Sequence, residues 1–236
     1  MAEYECWYRR YKMEIINSYK KRAFINMTEK IRKFEPTFLH SQFNKKLPKK
    51  PQRIFVGSMS EIYYWEKEWM EMVIEKIKEY PQHTFIFLTK NPIVYCKYIF
   101  PANCWLGETI TNNEDAYYYD EIYLNQNDFR TKFVCIEPIL QDINPYFFKK
   151  AIDWVIVGAE TGSRKDKIIV NERWIINIIN ACRKYSIPVY LKNSITNKFT
   201  WLKKYKLFPN ENEGGYLIKP GPYLDDLKKR IKKGGE

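Results

Sequence analysis

The sequence predicts an α/β fold built on a parallel sheet. Six apolar runs each stop at polar side chains: RIFVGSMSE from Arg53, HTFIFLTKN from His83, CWLGETIT from Cys104, KFVCIEPIL from Lys132, DWVIVGAETG from Asp153 and IPVYLKNS from Ile187. Runs of this length, rich in β-branched and aromatic residues and closed by Gly, Ser or Asn, read as buried strands. Their starts lie 30, 21, 28, 21 and 34 residues apart, enough for a crossover each time. The strand ends therefore bring Ser58, Ser60, Glu61, Thr89, Lys90, Glu108, Glu137, Glu160 and Lys192 to one edge of the sheet.

Taken in order, residues 8–34 space Met13, Ile16, Phe24, Met27 and Ile31 as a helix, one long or two joined near Asn26, stopped before Pro36. Residues 38–52 form a basic, proline-marked loop. The stretch 61–80 predicts a helix with Ile62, Trp65, Trp69, Met72, Val73 and Ile77 on one face, ended by Pro81. Asn91-Pro92 closes the second strand and opens a short helix. Asn112 or Asn113 is placed to cap an acidic helix over 112–125. Residues 171–185 and 195–205 predict two further helices. The end of the chain is turn-rich and then lysine-rich. The reading is one domain over 1–236: a barrel-like core over about 53–194, a helical segment over 1–52 and a basic extension over 206–236.

A chain of 236 residues with 45% hydrophobic composition suffices for one core, and barrels of this class occupy about 200–250 residues. It contains no run of 18 apolar residues, and MAEYECWYRRYKM lacks the apolar stretch of a signal peptide, so a cytoplasmic protein without a membrane partner is expected. Five scattered cysteines, an odd number, argue against a disulfide framework. The net charge of +12 favours a polyanionic partner such as nucleic acid, or a merely solvated lysine surface. Nineteen tyrosines and fourteen phenylalanines offer stacking platforms or core.

The strand ends suggest chemistry. Glu108, Glu137 and Glu160 are expected to converge in one mouth with Lys90 and Lys192 as counter-charges. Such a group fits cation, amine or ribose-hydroxyl binding, or acid–base work. The alternative is that these carboxylates cap helices or pair with the lysines. Gly57-Ser58-Met59-Ser60 supplies backbone groups and two hydroxyls, suited to a small polar ligand such as an amino-acid moiety. It is not a P-loop, GxGxxG is absent, and with only His40 and His83 there is no HExxH; CxxC is absent as well.

These motifs, in this order over 53–194, resemble a phage-associated family of unknown function, the gp thirty-seven and gp sixty-eight group, which in turn resembles radical S-adenosylmethionine (SAM) enzymes such as spore photoproduct lyase. The resemblance implies a partial (β/α) barrel with about six parallel strands and a SAM site at its mouth, beside a four-iron four-sulfur cluster on a CxxxCxxC loop. It implies Gly57, Ser58, Ser60 and Lys90 as cofactor contacts, with Glu137 and Glu160 as further contacts or as catalytic acid and base. Cys6, in CWYRR, matches the last cysteine of the loop, whereas Glu3 stands where the preceding one belongs. One thiolate does not hold such a cluster.

The first strand of the family's fold also has too few residues ahead of Cys6. An open edge at the 53–58 strand is therefore expected, covered by the N-terminal helix or the 38–52 loop, by a second copy, or by a separate polypeptide carrying the strand and cysteines. Two functions follow: an incomplete or degenerate radical-SAM-like enzyme, or a non-catalytic nucleic-acid- or protein-binding module on the same fold.

Overall fold

Each of the six apolar runs forms a strand, and the strands pair in the order in which they occur. The computed structural model describes residues 37–58, 60–116, 130–149 and 152–209. The strands are β1 (Arg53–Phe55), β2 (Thr84–Thr89), β3 (Cys104–Ile110), β4 (Lys132–Ile136), β5 (Trp154–Val157) and β6 (Val189–Leu191). Every neighbouring pair is parallel, in the order β1-β2-β3-β4-β5-β6. The result is an α/β fold with a six-stranded, all-parallel sheet curled into a half barrel, as the strand spacing and motif order predict.

Alternation along the strands sorts side chains onto two faces. Phe85, Phe87, Leu106, Ile110, Val134, Ile136, Val155, Val157, Val189 and Leu191 face the helices and build the main core. Ile86, Leu88, Trp105, Phe133, Cys135, Trp154, Ile156 and Tyr190 form a separate cluster on the concave face. All five β4 side chains are buried, because both faces of that strand are covered.

Helix α1 (His40–Phe43) belongs to the loop before β1, and α2 (Lys67–Lys78) joins β1 to β2. Helix α2 buries Met70, Val73, Ile74 and Ile77, the spacing that puts one stripe against the sheet. Glu68 in its first turn and Lys76 and Lys78 in its last suit the helix dipole. The stretch expected as one helix over 61–80 is instead divided. Residues Ile62–Tyr64 form a 3-10 turn and Trp65 is extended, because the Glu61 carboxylate captures the Tyr63 amide and ends that turn. Helix α3 (Val94–Lys97) follows β2. Asn112 caps the helix that begins at 113, its Oδ1 accepting from the amides of Glu114 (2.8 Å) and Asp115 (2.9 Å).

Helix α4 (Glu172–Lys184) is capped by Asn171, whose side chain accepts from the Arg173 amide, and it buries six residues including Ile175, Ile178 and Ile179. The helix expected over 195–205 is two short turns, α5 (Asn193–Thr196) and a 3-10 turn at Thr200–Leu202. Phe199 breaks them apart with non-helical backbone angles, and the chain then returns to the sheet.

That return treats the two sheet edges differently. The Leu191 amide donates to Tyr205 O, the Leu207 amide donates to Val189 O, and Lys206 bridges Tyr190 in antiparallel sense, so β6 is covered by its own chain. Phe208 then lies against Trp154 and Tyr190 and under the Arg53 guanidinium, 4.1 Å from its ring centre. This contact links β1 to the β6 side at the amino ends of the strands and closes the floor of the half barrel.

Among the described residues β1 pairs only with β2. The 38–52 loop does not add a strand to it. Phe38 instead rests on Trp69, and Lys76 of α2 donates to the carbonyls of Phe43 and Lys45. The N-terminal helix expected over 8–34, and most of the basic extension over 206–236, lie outside the described residues.

Candidate functional site at the carboxyl-end rim

Above the aromatic floor, the carboxyl ends of β4, β5 and β6 assemble a charged site. The registers Cys135↔Ile156 and Ile156↔Tyr190 place the next inward positions, Glu137, Gly158 and Lys192, on one level. Lys192 Nζ donates to Glu137 Oε2, forming an ion pair between two side chains that are partly open to solvent. Gly158 makes the pose possible: a Cβ there would collide with the Glu137 carboxylate. Beneath the pair, the Cys135 thiol lies 3.8 Å from Glu137 Oε2. Burial, and then the neighbouring Glu137, push that thiol up to about 12, so it stays protonated and is a poor nucleophile.

On the β1 side, Gly57 adopts φ 68°, and a Cβ there would stand 2.9 Å from Trp65 Cζ2. Glycine thus allows the loop to fold against the indole. The Trp65 Nε1–H donates to Ser60 Oγ (2.9 Å), and the Ser60 amide donates to Gly57 O (2.9 Å). Glu61 ties this loop to the end of β2: its carboxylate accepts from Thr89 Oγ1, from the Lys90 amide (2.9 Å) and from the Tyr63 amide (3.2 Å). Across the rim, Glu160 is bound bidentately by Arg164, Nε to Oε1 and Nη2 to Oε2 at 2.8 Å each, and also accepts from the Ile168 amide.

A family model described as a protein of unknown function, DUF5131, matches residues 4–212, which include all six strands and every rim residue. The chain belongs to the DUF5131 family. No curated protein matches it.

In this DUF5131 chain the predicted site residues divide. Glu137 and Lys192 meet, as the convergence of strand ends requires. Gly57 and Ser60 shape the β1 loop, with the Ser60 hydroxyl engaged by Trp65, while Ser58 and Lys90 are exposed at the rim. Glu160 is at the rim, its side chain only 4% exposed and held by Arg164.

Glu108 does not join them. It pairs in register with Thr89 and Val134, on the helix-facing side of β3, and is 2% exposed. Period-two alternation inside a strand, rather than proximity to its end, decides its face. Glu61 and Arg164 are the working residues that sequence reasoning left without a role. The polar residue ending SMSE and the i,i+4 spacing of Glu160 and Arg164 were the available signals.

Cys6 lies outside the described residues. The cysteines within them occupy separate elements: Cys96 in α3, Cys104 at the start of β3, Cys182 in α4, and Cys135 alone on the concave face. Among the described residues no group of three metal-ligating side chains occurs. These residues thus do not match the three-thiolate loop that a SAM-cleaving cluster requires. No helix among them is long and apolar enough to cross a membrane.

Proposed function

We propose that this chain is a half barrel of the radical-SAM type that holds SAM at its carboxyl-end rim by the amino-acid moiety. The opposed pair Glu137–Lys192 carries the reading. A zwitterionic amino acid presents an ammonium and a carboxylate, and a carboxylate and an ammonium stand ready for them on one level of the sheet. In the bound state Lys192 takes the ligand carboxylate and Glu137 the ligand ammonium, each exchanging one charged hydrogen bond for another. The partly exposed Leu88 and Ile156 offer apolar surface to the nucleoside, and Gly57, Ser58 and Lys90 border it from β1 and β2.

Of the two carboxylates, Glu137 is the one placed for proton transfer, and Glu160 anchors its loop through Arg164. Because the described residues do not fit the iron–sulfur cluster, no radical step is assigned to them. The proposed activity of this part of the chain is ligand binding.

Calorimetry on the full chain tests the proposal. SAM is expected to bind more tightly than 5′-methylthioadenosine, which keeps the nucleoside and lacks the amino-acid moiety. Glu137→Gln and Lys192→Met should each weaken SAM about tenfold, since a hydrogen bond to a charged group contributes about 1.5–3 kcal/mol. Neither change should alter the affinity for methylthioadenosine. Equal affinity for the two compounds, or variants that bind SAM like the parent, would remove the charge pair from the site.

A further inference from the structure

The loops after the strands' carboxyl ends carry most of the large apolar side chains exposed among the described residues. Tyr64 follows β1 and is 71% exposed, Ile93 follows β2, Tyr146 follows β4, and Ile168 and Ile169 follow β5, with Ile169 80% exposed. Elsewhere only Phe55, on the concave face, and Ile99, between α3 and β3, are comparable. The core is complete without these rim side chains, and an apolar patch gathered at one end of a fold marks an interaction surface.

The charge of the same loops is positive. Lys90 and Lys165 are exposed, and the Lys97 ammonium lies 4.7 Å from the ring centre of Tyr63, which meets Tyr64 edge-to-face at 5.1 Å. Several rim carboxylates are engaged within the protein. Glu61 serves the β2 end, Asp115 accepts from Thr111, Asp142 accepts from Asn177, and Glu160 holds Arg164. Glu114 and Asp166 remain outward, against a chain of net charge +12.

We propose that this rim docks a single-stranded nucleic acid, with bases against Tyr64 and the Ile168–Ile169 pair and phosphates on Lys90, Lys97 and Lys165. Aromatic platforms interleaved with cations are what an unpaired strand requires, since its base faces are exposed and its backbone is anionic. A duplex hides its base faces and would leave Tyr64 and Ile169 without a counterpart. A flat anionic membrane would meet the lysines and isoleucines but not the concave mouth they surround. The proposal is carried by the rim surface and stands apart from SAM binding.

Fluorescence anisotropy of the full chain with a labelled oligothymidine of about 15 nucleotides, without SAM, provides the test. Tyr64→Ala is expected to weaken binding about tenfold, the range of one base–aromatic stack. The double variant Lys90→Glu/Lys165→Glu should weaken it about tenfold or more and flatten its salt dependence. A matched double variant in the loop before β1, Lys49→Glu/Lys50→Glu, has the same charge change and should cost about twofold at most. All these side chains are exposed, and melting curves check that each variant is folded.

Equal losses from the two charge variants would reduce the effect to net charge and overturn the rim site. Duplex binding as tight as single-strand binding, or displacement of the oligonucleotide by phosphatidylserine vesicles, would overturn the assignment of the partner. Since SAM is absent throughout, a failure of SAM binding leaves each of these outcomes readable.

Discussion

Gly107→Ala is expected to unfold this protein or bring it close to unfolding. Gly107 sits on the concave face of β3, in register with Phe133 of β4, and a Cβ at position 107 would fall among the ring atoms of Phe133. The ring has nowhere to go. It is fully buried, and Trp154 packs on it with ring centres 5.5 Å apart; Trp154 in turn meets Trp105 and Phe208 and donates to Leu207 O. Forcing extra volume into a close-packed core costs about 1–3 kcal/mol and occasionally more, and with backbone on one side and an immobile aromatic layer on the other the upper end applies.

Against a total stability of about 5–15 kcal/mol, that loss is readily seen as a fall in the urea midpoint. The mechanism makes a second demand. In the Phe133→Ala background, itself destabilised by about 3–5 kcal/mol, Gly107→Ala should cost much less, because the obstacle has gone. Costs that simply add would show that the two residues do not contest the same space.

Glu108 gives the second large effect, a stability that falls as pH rises. Burial on the helix-facing side of β3, and then the nearby Asp115, push its carboxyl up to about 9 from an ordinary value of 4.5. Tyr95, which donates to Gly107 O at 2.7 Å, is raised well above its ordinary range, first by the same burial and further by Glu61 and Glu108. The folded state thus keeps a proton on Glu108 that the unfolded chain releases above 4.5. Its contribution to stability is fully present below pH 4.5, declines between 4.5 and 9, and is lost once pH passes through 9.

The slope in that window reaches about 1.4 kcal/mol per pH unit from this group alone. Glu108→Gln is nearly isosteric and carries no titrating proton. The variant should be the more stable protein at pH 8, with a difference from the parent that shrinks towards pH 5. Chemical unfolding at both pH values measures that difference. A pH-independent gap would mean that Glu108 is ionised in the folded state.

The same two residues show how far reading the chain could go. Strand periodicity and spacing located all six strands, because a strand buried on both faces must be apolar throughout and a parallel neighbour needs a long crossover. The rim pair was legible as well: Glu137 and Lys192 each follow a strand directly, and parallel strands bring such positions to one edge. Glu108 was misplaced because proximity to a strand end counted for more than alternation, which turns it toward the helices. The helices expected over 61–80 and 195–205 were too long, since apolar spacing cannot register a side chain such as Glu61 taking a backbone amide and ending a turn. Arg164, the Trp65–Ser60 bond and the stacking of Phe208 under Arg53 depend on partners far apart in sequence or on loop geometry.

What the sequence by itself determined is the α/β class, the parallel order of strands and the set of polar residues at one end of the sheet, all consequences of local periodicity and chain length. Only the tertiary structure decided which of those residues meet. Curling the sheet brings Phe208 to Arg53 and the β4 and β6 ends to a common level, while pleat alternation sends Glu137 to the mouth and Glu108 into the core. Those outcomes turn on ångström-scale register and on glycine positions, 107 and 158, whose importance lies in the side chains of Phe133 and Glu137 on the neighbouring strand.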